Sequence, residues 1–139
     1  MILSNIDIRK VLKDQSFIID PLPEEDQIDT SSIDLRIGES IWVWDTKLSG
    51  QNERVSIDTE NFDFKKFSER YLIQINPEPS GKYSIRPETF YLAPTFEKVK
   101  FPMNSRLAAR VEGKSSLARL GLGVHITAPT IHCGTGYGI

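Results

Sequence analysis

What most constrains this chain is its rhythm: short runs of β-branched and aromatic residues recur about every ten residues, with turn residues between them. Ser32-Ile33-Asp34-Leu35-Arg36-Ile37-Gly38 alternates polar with apolar, as a half-buried strand ending in a glycine turn does. Ile41 to Trp44, Val55 to Ile57, Leu107 to Val111 and Gly123 to Ile126 give further strand signals. Ser84 to Pro87 and Phe90 to Pro94 carry proline at their borders, where a strand tolerates it. These runs do not alternate with long helices, which argues against a doubly wound α/β fold. The expectation is an all-β fold, mainly β with short helices, built as a sandwich or barrel of antiparallel strands.

Helices are expected only in short pieces. Ser4 can cap one running to about Lys13, with Asp7 at the third position as a shortened capping box and Ile8, Val11 and Leu12 on one apolar face. Asp63 to Arg70 reads as one or two helical turns inside Gln51 to Ser80, the least legible stretch. Pro21, Pro23 and the acidic Glu24-Glu25-Asp26 run mark a solvated loop. Trp42, Trp44, Phe90 and Tyr91 alternate within strands, so packing in a core or a subunit interface is expected of them.

A length of 139 residues suits one domain. The net charge of −2 argues against a nucleic-acid-binding surface, which needs a basic excess, but leaves room for a local anion site. The single cysteine, Cys133, has no internal disulfide partner, which points to a reducing compartment. No apolar run approaches the roughly 18 residues of a membrane span. A cytoplasmic protein with no membrane partner is expected.

Chemistry concentrates between Arg110 and Gly121. Gly113 allows a tight bend, Lys114 brings a point charge, and Ser115 and Ser116 bring hydroxyls beside the free amides of a helix start. Gly121 can close that helix, and Arg119, four residues after Ser115, shares its face. Taken alone, Gly-Lys-Ser-Ser fits a phosphate cradle and a serine-capped short helix with solvent-facing Lys and Arg equally well. A Walker A loop fails, because Ala108 stands where its first glycine belongs and only 26 residues follow Gly113.

The unbroken run Arg110-Val-Glu-Gly-Lys-Ser-Ser-Leu-Ala-Arg-Leu-Gly-Leu-Gly-Val-His-Ile-Thr-Ala128 resembles the signature block of the dCTP deaminases, in the dUTPase superfamily. Met1-Ile-Leu-Ser4 with Asp7-Ile8-Arg9, Ser32 to Gly38, Tyr91-Leu-Ala, Glu97 and Pro102 are similar to that family in the same order. The resemblance implies a distorted jelly roll of the β-clip, dUTPase-like kind over residues 1–139, lacking its C-terminal strands. It also implies a homotrimer with active sites between subunits, and dCTP and dUTP as ligands. By position, Lys114, Ser115, Ser116, Leu117, Ala118, Arg119, Thr127, Ala128 and His132 would bind the nucleotide. Magnesium would be bound through the phosphates. Ser115 and Arg119 would act catalytically by placing the hydrolytic water and the departing ammonia.

The implied reaction is hydrolytic deamination of dCTP to dUTP in pyrimidine deoxynucleotide synthesis. Zinc is not expected. The zinc deaminases need a His-x-Glu and Pro-Cys-x-x-Cys ligand set that is absent here, and His125, His132 and Cys133 make a poor substitute. The family's general-base glutamate is expected shortly beyond Ile139, so these residues alone should be inactive or nearly so; Glu97 and Glu112 do not occupy its position. Where the family has Asp-Pro-Gly and an aromatic, this chain has His132-Cys133-Gly134-Thr135. His125 is expected to be a hydrogen-bonded strand residue, Arg36 a member of a buried structural or interface ion pair, Cys133 a packed thiol and Gly134 to Gly138 a loose tail. Two alternatives remain: a bifunctional enzyme that continues to dUMP and pyrophosphate, and a nucleotide-binding module without turnover.

Overall fold

In the computed structural model, which describes residues 1–45, 58–125 and 128–134, Ser4 begins the first helix as the sequence dictates. Helix α1 (Asn5–Lys13) has a full capping box: the Ser4 hydroxyl accepts from the Asp7 N–H, and the Asp7 carboxylate accepts from the Ser4 N–H and hydroxyl. Ile8 is its buried residue, and Leu12 packs against the core. The acidic loop after Pro23 tightens into a single 3-10 turn (Glu25–Gln27).

The chain divides into two compact units. One comprises Met1–Ile37 with Thr95–Ile139, the other Gly38–Pro94. In the first, β1 (Ile18–Asp20) pairs antiparallel with β5 (Lys98–Lys100), setting Ile19 opposite Val99. The flanking lysines of β5 face solvent while Val99 is buried, the period-two pattern of a half-buried strand. Ile19, Val99 and Phe101 form the core, with Leu12, Phe17, Ile33, Leu35, Leu107, Ala109 and Ile131 packed around them. Phe17 stacks on Phe101 with ring centroids 4.5 Å apart. A second ladder joins β6 (Ala109–Arg110) to β7 (Thr130–Ile131).

In the second unit, β2 (Ile41–Trp44) is the centre of a three-stranded antiparallel sheet, between β3 (Leu72–Ile75) and β4 (Tyr91–Leu92). Helix α2 (Phe64–Tyr71) occupies the expected two turns, capped by the Asp63 side chain. Its Phe64 and Phe67 lie against Trp44, and Phe67 lies against Tyr71, so aromatic packing stabilises this end of the sheet. Trp42, Trp44 and Tyr91 are half-buried, whereas Phe90 is exposed. The Gly38 N–H donates to the Pro94 carbonyl at 2.7 Å, closing the unit at its two ends. In the first unit, Ile37 and Thr95 face each other across a β-bridge.

The architecture is mainly β, in small antiparallel sheets with few short helices, as expected. Three expected strands differ. Residues 32–38 are extended but form only isolated bridges, Ile28 with Ile33 and Ile37 with Thr95. Their inner N–H groups are taken elsewhere: Asp34 donates to the Gln27 carbonyl, and Arg36 to the Glu97 carboxylate. Ser84 to Pro87 is not a strand, because the Arg86 N–H donates to the Tyr91 hydroxyl and Pro87 has no N–H to give. Residues 123–125 lie outside any strand. Val55 to Ile57, Ile126, Thr127 and residues 135–139 are outside the described residues. None of the helices among the described residues is long and apolar enough to cross a membrane.

Candidate functional site

The Arg110-to-Gly121 block starts on β6, paired in register with β7: Ala109 faces Ile131, Arg110 faces Thr130, and the Val111 N–H donates to the Pro129 carbonyl at 2.8 Å. This antiparallel register directs Ala128 toward the Gly113 end of the block and His132 toward the Ala108 end. The β6 lead-in carries an exposed Arg110–Glu112 ion pair at 3.3 Å.

Gly113 then brings the chain close to Val124. A Cβ built on it would sit 3.2 Å from the Val124 Cβ, a tight contact that would press Val124 aside, so glycine here serves close approach and not an unusual φ. Helix α3 (Ser115–Arg119) follows, with Lys114 as its N-cap and no side-chain capping bond. The serine-capped alternative is therefore not what forms. The Lys114 carbonyl accepts from Leu117 and Ala118, and among the described residues nothing accepts the Ser115 and Ser116 N–H groups. These two donors and two hydroxyls remain available at the helix start.

The far end closes as a Schellman motif. Gly121 adopts φ +82°, its N–H donates to the Ala118 carbonyl, and the Leu122 N–H reaches back to Leu117. Arg119 falls on the last turn, on the face of Ser115, exposed and with no partner among the described residues. Leu117, Ala118 and Ala128 are exposed.

Lys114 is not free. Its Nζ lies 2.6 Å from the Asp34 carboxylate, and this hydrogen bond, the Asp34 charge and the nearby Asp29 together hold the ammonium above its ordinary pKa. Asp34 is in turn fixed through its backbone. Its N–H donates to the Gln27 carbonyl and its own carbonyl accepts from Gln27 Nε2, both at 2.8 Å. The same Nε2 reaches the Glu97 carboxylate at 3.1 Å. Glu97, which is 0% exposed, also accepts from the Arg36 N–H at 2.8 Å and from Arg36 Nε at 2.7 Å. Burial pushes its carboxyl up, but the Arg36 amide, the guanidinium and the Gln27 amide outweigh that and hold it below the ordinary carboxylate value. Arg36 thus makes the ion pair expected of it, but half-exposed rather than buried, with its guanidinium also over the Phe96 ring.

Other site expectations fare differently. Thr127 lies outside the described residues. His125 is exposed with φ +63° and belongs to no strand, so the strand role expected for it is corrected: a left-handed non-glycine residue breaks strand geometry. His132 and Cys133 are exposed, so Cys133 is not the packed thiol expected. Of the run Gly134 to Gly138 only Gly134 is among the described residues; its N–H donates to the Phe101 carbonyl, and φ is +75°. Asp34 and Gln27 were not singled out from sequence. The only signal was the outward phase of Asp34 in the 32–38 alternation, which cannot reveal a partner eighty positions away.

A family model described as dCTP deaminase-like matches residues 2–138. A dUMP-forming dCTP deaminase of Methanosphaera stadtmanae is 38% identical over 133 residues, covering 96% of this chain and 62% of that protein. A dCTP deaminase of Rhodospirillum rubrum is 34% identical over 134 residues, 96% of this chain and 66% of its own length. A dUMP-forming dCTP deaminase of Dictyoglomus turgidum is 41% identical over 130 residues, 92% of this chain and 61% of that protein. The chain thus spans about three-fifths to two-thirds of the length of the curated relatives it matches.

Proposed function

From the chain's membership of the dCTP deaminase-like family, to which it belongs by a match along nearly its whole length, we propose that it forms the nucleotide-holding part of a dCTP deaminase. The reaction is attack of water on C4 of the cytosine of dCTP, with the C4–N bond breaking to give dUTP and ammonia. Lys114 and the Ser115 and Ser116 amides and hydroxyls bind the triphosphate. Ser115 and Arg119 place the water and the departing ammonia, and Ala128, Thr127 and His132 border the nucleoside.

One observation carries this reading: among the described residues nothing accepts the Ser115 and Ser116 N–H groups, which stand beside a lysine, and nothing pairs with Arg119 one turn on. The donor set is cationic and hydrogen-bond-donating, which suits anionic oxygens and not a metal ion. Any magnesium would therefore be carried on the triphosphate itself, where it would neutralise charge. The exposed Leu120 and Val124 beside the helix support burial against another subunit, in a homotrimer. The water-activating glutamate is not among these 139 residues in this reading, so a polypeptide of these residues alone binds nucleotide without turnover.

The test is calorimetric titration with dCTP and magnesium, followed by product analysis on a full-length enzyme. Saturable binding and release of ammonia are expected. Absence of binding by a folded, assembled chain would sink the proposal. A second reading, continuation to dUMP and pyrophosphate, is favoured by the relatives named as dUMP-forming. Recovery of dUMP in place of dUTP decides for it.

A further inference from the structure

The Lys114–Asp34 pair spans a long stretch of sequence, and the structure gives its two partners very different freedom. Asp34 is clamped: Gln27 holds both its N–H and its carbonyl, and Gln27 is itself tied to the buried Glu97. Lys114 sits at the end of a flexible stem, 60% exposed, with Nζ 2.6 Å from the Asp34 carboxylate. The short aspartate side chain on this held main chain has less freedom than the lysine stem, and therefore sets where the ammonium rests. An ammonium has three donors, and Asp34 uses one, leaving two for other oxygens.

We propose that Asp34 is a positioning residue for the phosphate end of the site, its carboxylate, carried on a short side chain from a clamped main chain, holding the Lys114 ammonium where an anionic phosphate chain meets it. This rests on the reading of Lys114 as a phosphate ligand. Two effects of Asp34 oppose each other, and their sizes decide between them. Its charge repels an incoming phosphate, but through salt-screened solvent and across the roughly 7 Å that the ammonium interposes, which limits the penalty to about 1.5-fold per charge and about two- to threefold for a magnesium-bound triphosphate. Against that, a lysine left free to wander through its rotamers loses affinity by about tenfold or more. Positioning wins, and removing the carboxylate weakens phosphate binding even though it removes a negative charge.

The experiment compares the native chain with Asp34→Asn, Asp34→Glu, Lys114→Met and the Asp34→Asn/Lys114→Met double variant. Dissociation constants are measured by calorimetry for dCTP with magnesium, inorganic tripolyphosphate and deoxycytidine. Asp34→Asn should weaken dCTP and tripolyphosphate about fivefold, leave deoxycytidine and the melting curve unchanged, and add nothing on the Lys114→Met background. Asp34→Glu should recover part of the loss. Unchanged or tighter tripolyphosphate binding in Asp34→Asn overturns the inference, as does an equal loss for deoxycytidine, which marks damage to the fold. If the native chain binds neither dCTP nor tripolyphosphate, or Lys114→Met binds like native, the functional reading itself fails and takes this inference with it. If those controls behave and only Asp34→Asn departs from expectation, the inference alone falls.

Discussion

Glu97 and Arg36 meet twice: the fully buried carboxylate accepts from the arginine's main-chain N–H at 2.8 Å and from its Nε at 2.7 Å. One side chain thus stands in for a neighbouring strand and for a counter-ion at once. The extended segment that presents Asp34 to Lys114 depends on it.

Replacing Glu97 with Gln should therefore destabilise the chain by about 2–4 kcal/mol at neutral pH, because donors that faced a carboxylate now meet an amide. The pH dependence has a definite sign. The folded carboxyl is held below its ordinary value of 4.5, so its contribution is complete above that value and is lost as pH falls through the folded value. Urea denaturation at pH 7 and at about pH 3 should show the gap between native and Glu97→Gln narrowing with acid. A gap that widened would contradict the bonding described.

Truncating Phe101 to Ala removes the ring that stacks on Phe17 and empties the centre of the first unit. A loss of about 3–5 kcal/mol is expected, read as a shift in the chemical-denaturation midpoint. Phe101→Leu should cost clearly less, since it keeps most of the buried volume.

Gly121 holds φ +82°, with nothing within 4 Å of where a Cβ would be. Alanine there pays only backbone strain, about 1 kcal/mol, and asparagine should cost less because it tolerates the left-handed region. Equal stability of the native chain, Gly121→Ala and Gly121→Asn would show that the α3 terminus is not set by this turn.

In a full-length enzyme, Arg119→Ala should lower kcat for dCTP by about a hundredfold or more while KM moves far less. Lys114→Ala should chiefly raise KM, as loss of a ground-state phosphate contact does. Steady-state assay of ammonia release separates the two. A pure KM effect at Arg119 would remove it from the chemical step.

Much of this was written in local sequence. Ser4 and Asp7 announce the α1 cap because a capping box involves only one turn of chain, and Asp63 announces α2 for the same reason. The glycine bend, short helix and Gly121 stop were legible likewise. What failed was long-range. The alternation of residues 32–38 correctly marked an extended pleat, with Ile33 and Leu35 against the core, but not that a carboxylate sixty-one positions away would replace a strand partner. The same blindness hid Asp34 as the partner of Lys114. At Arg86 the signal misled outright, because a tyrosine hydroxyl competes for the amide a ladder would need. At His125 the apolar flanks suggested a strand, and only the backbone dihedral reveals a bend.

The contact between Gly38 and Pro94 has a bearing on how such a chain can vary. Residues 38–94 begin and end beside each other, and none of the core residues Ile19, Val99 and Phe101 lies among them. Lengthening a connection between elements that are already held together costs only logarithmically in closure entropy. Insertions in the connections between the elements of this unit are therefore cheaper than between β6 and Lys114, where an added residue would shift the ammonium relative to Asp34.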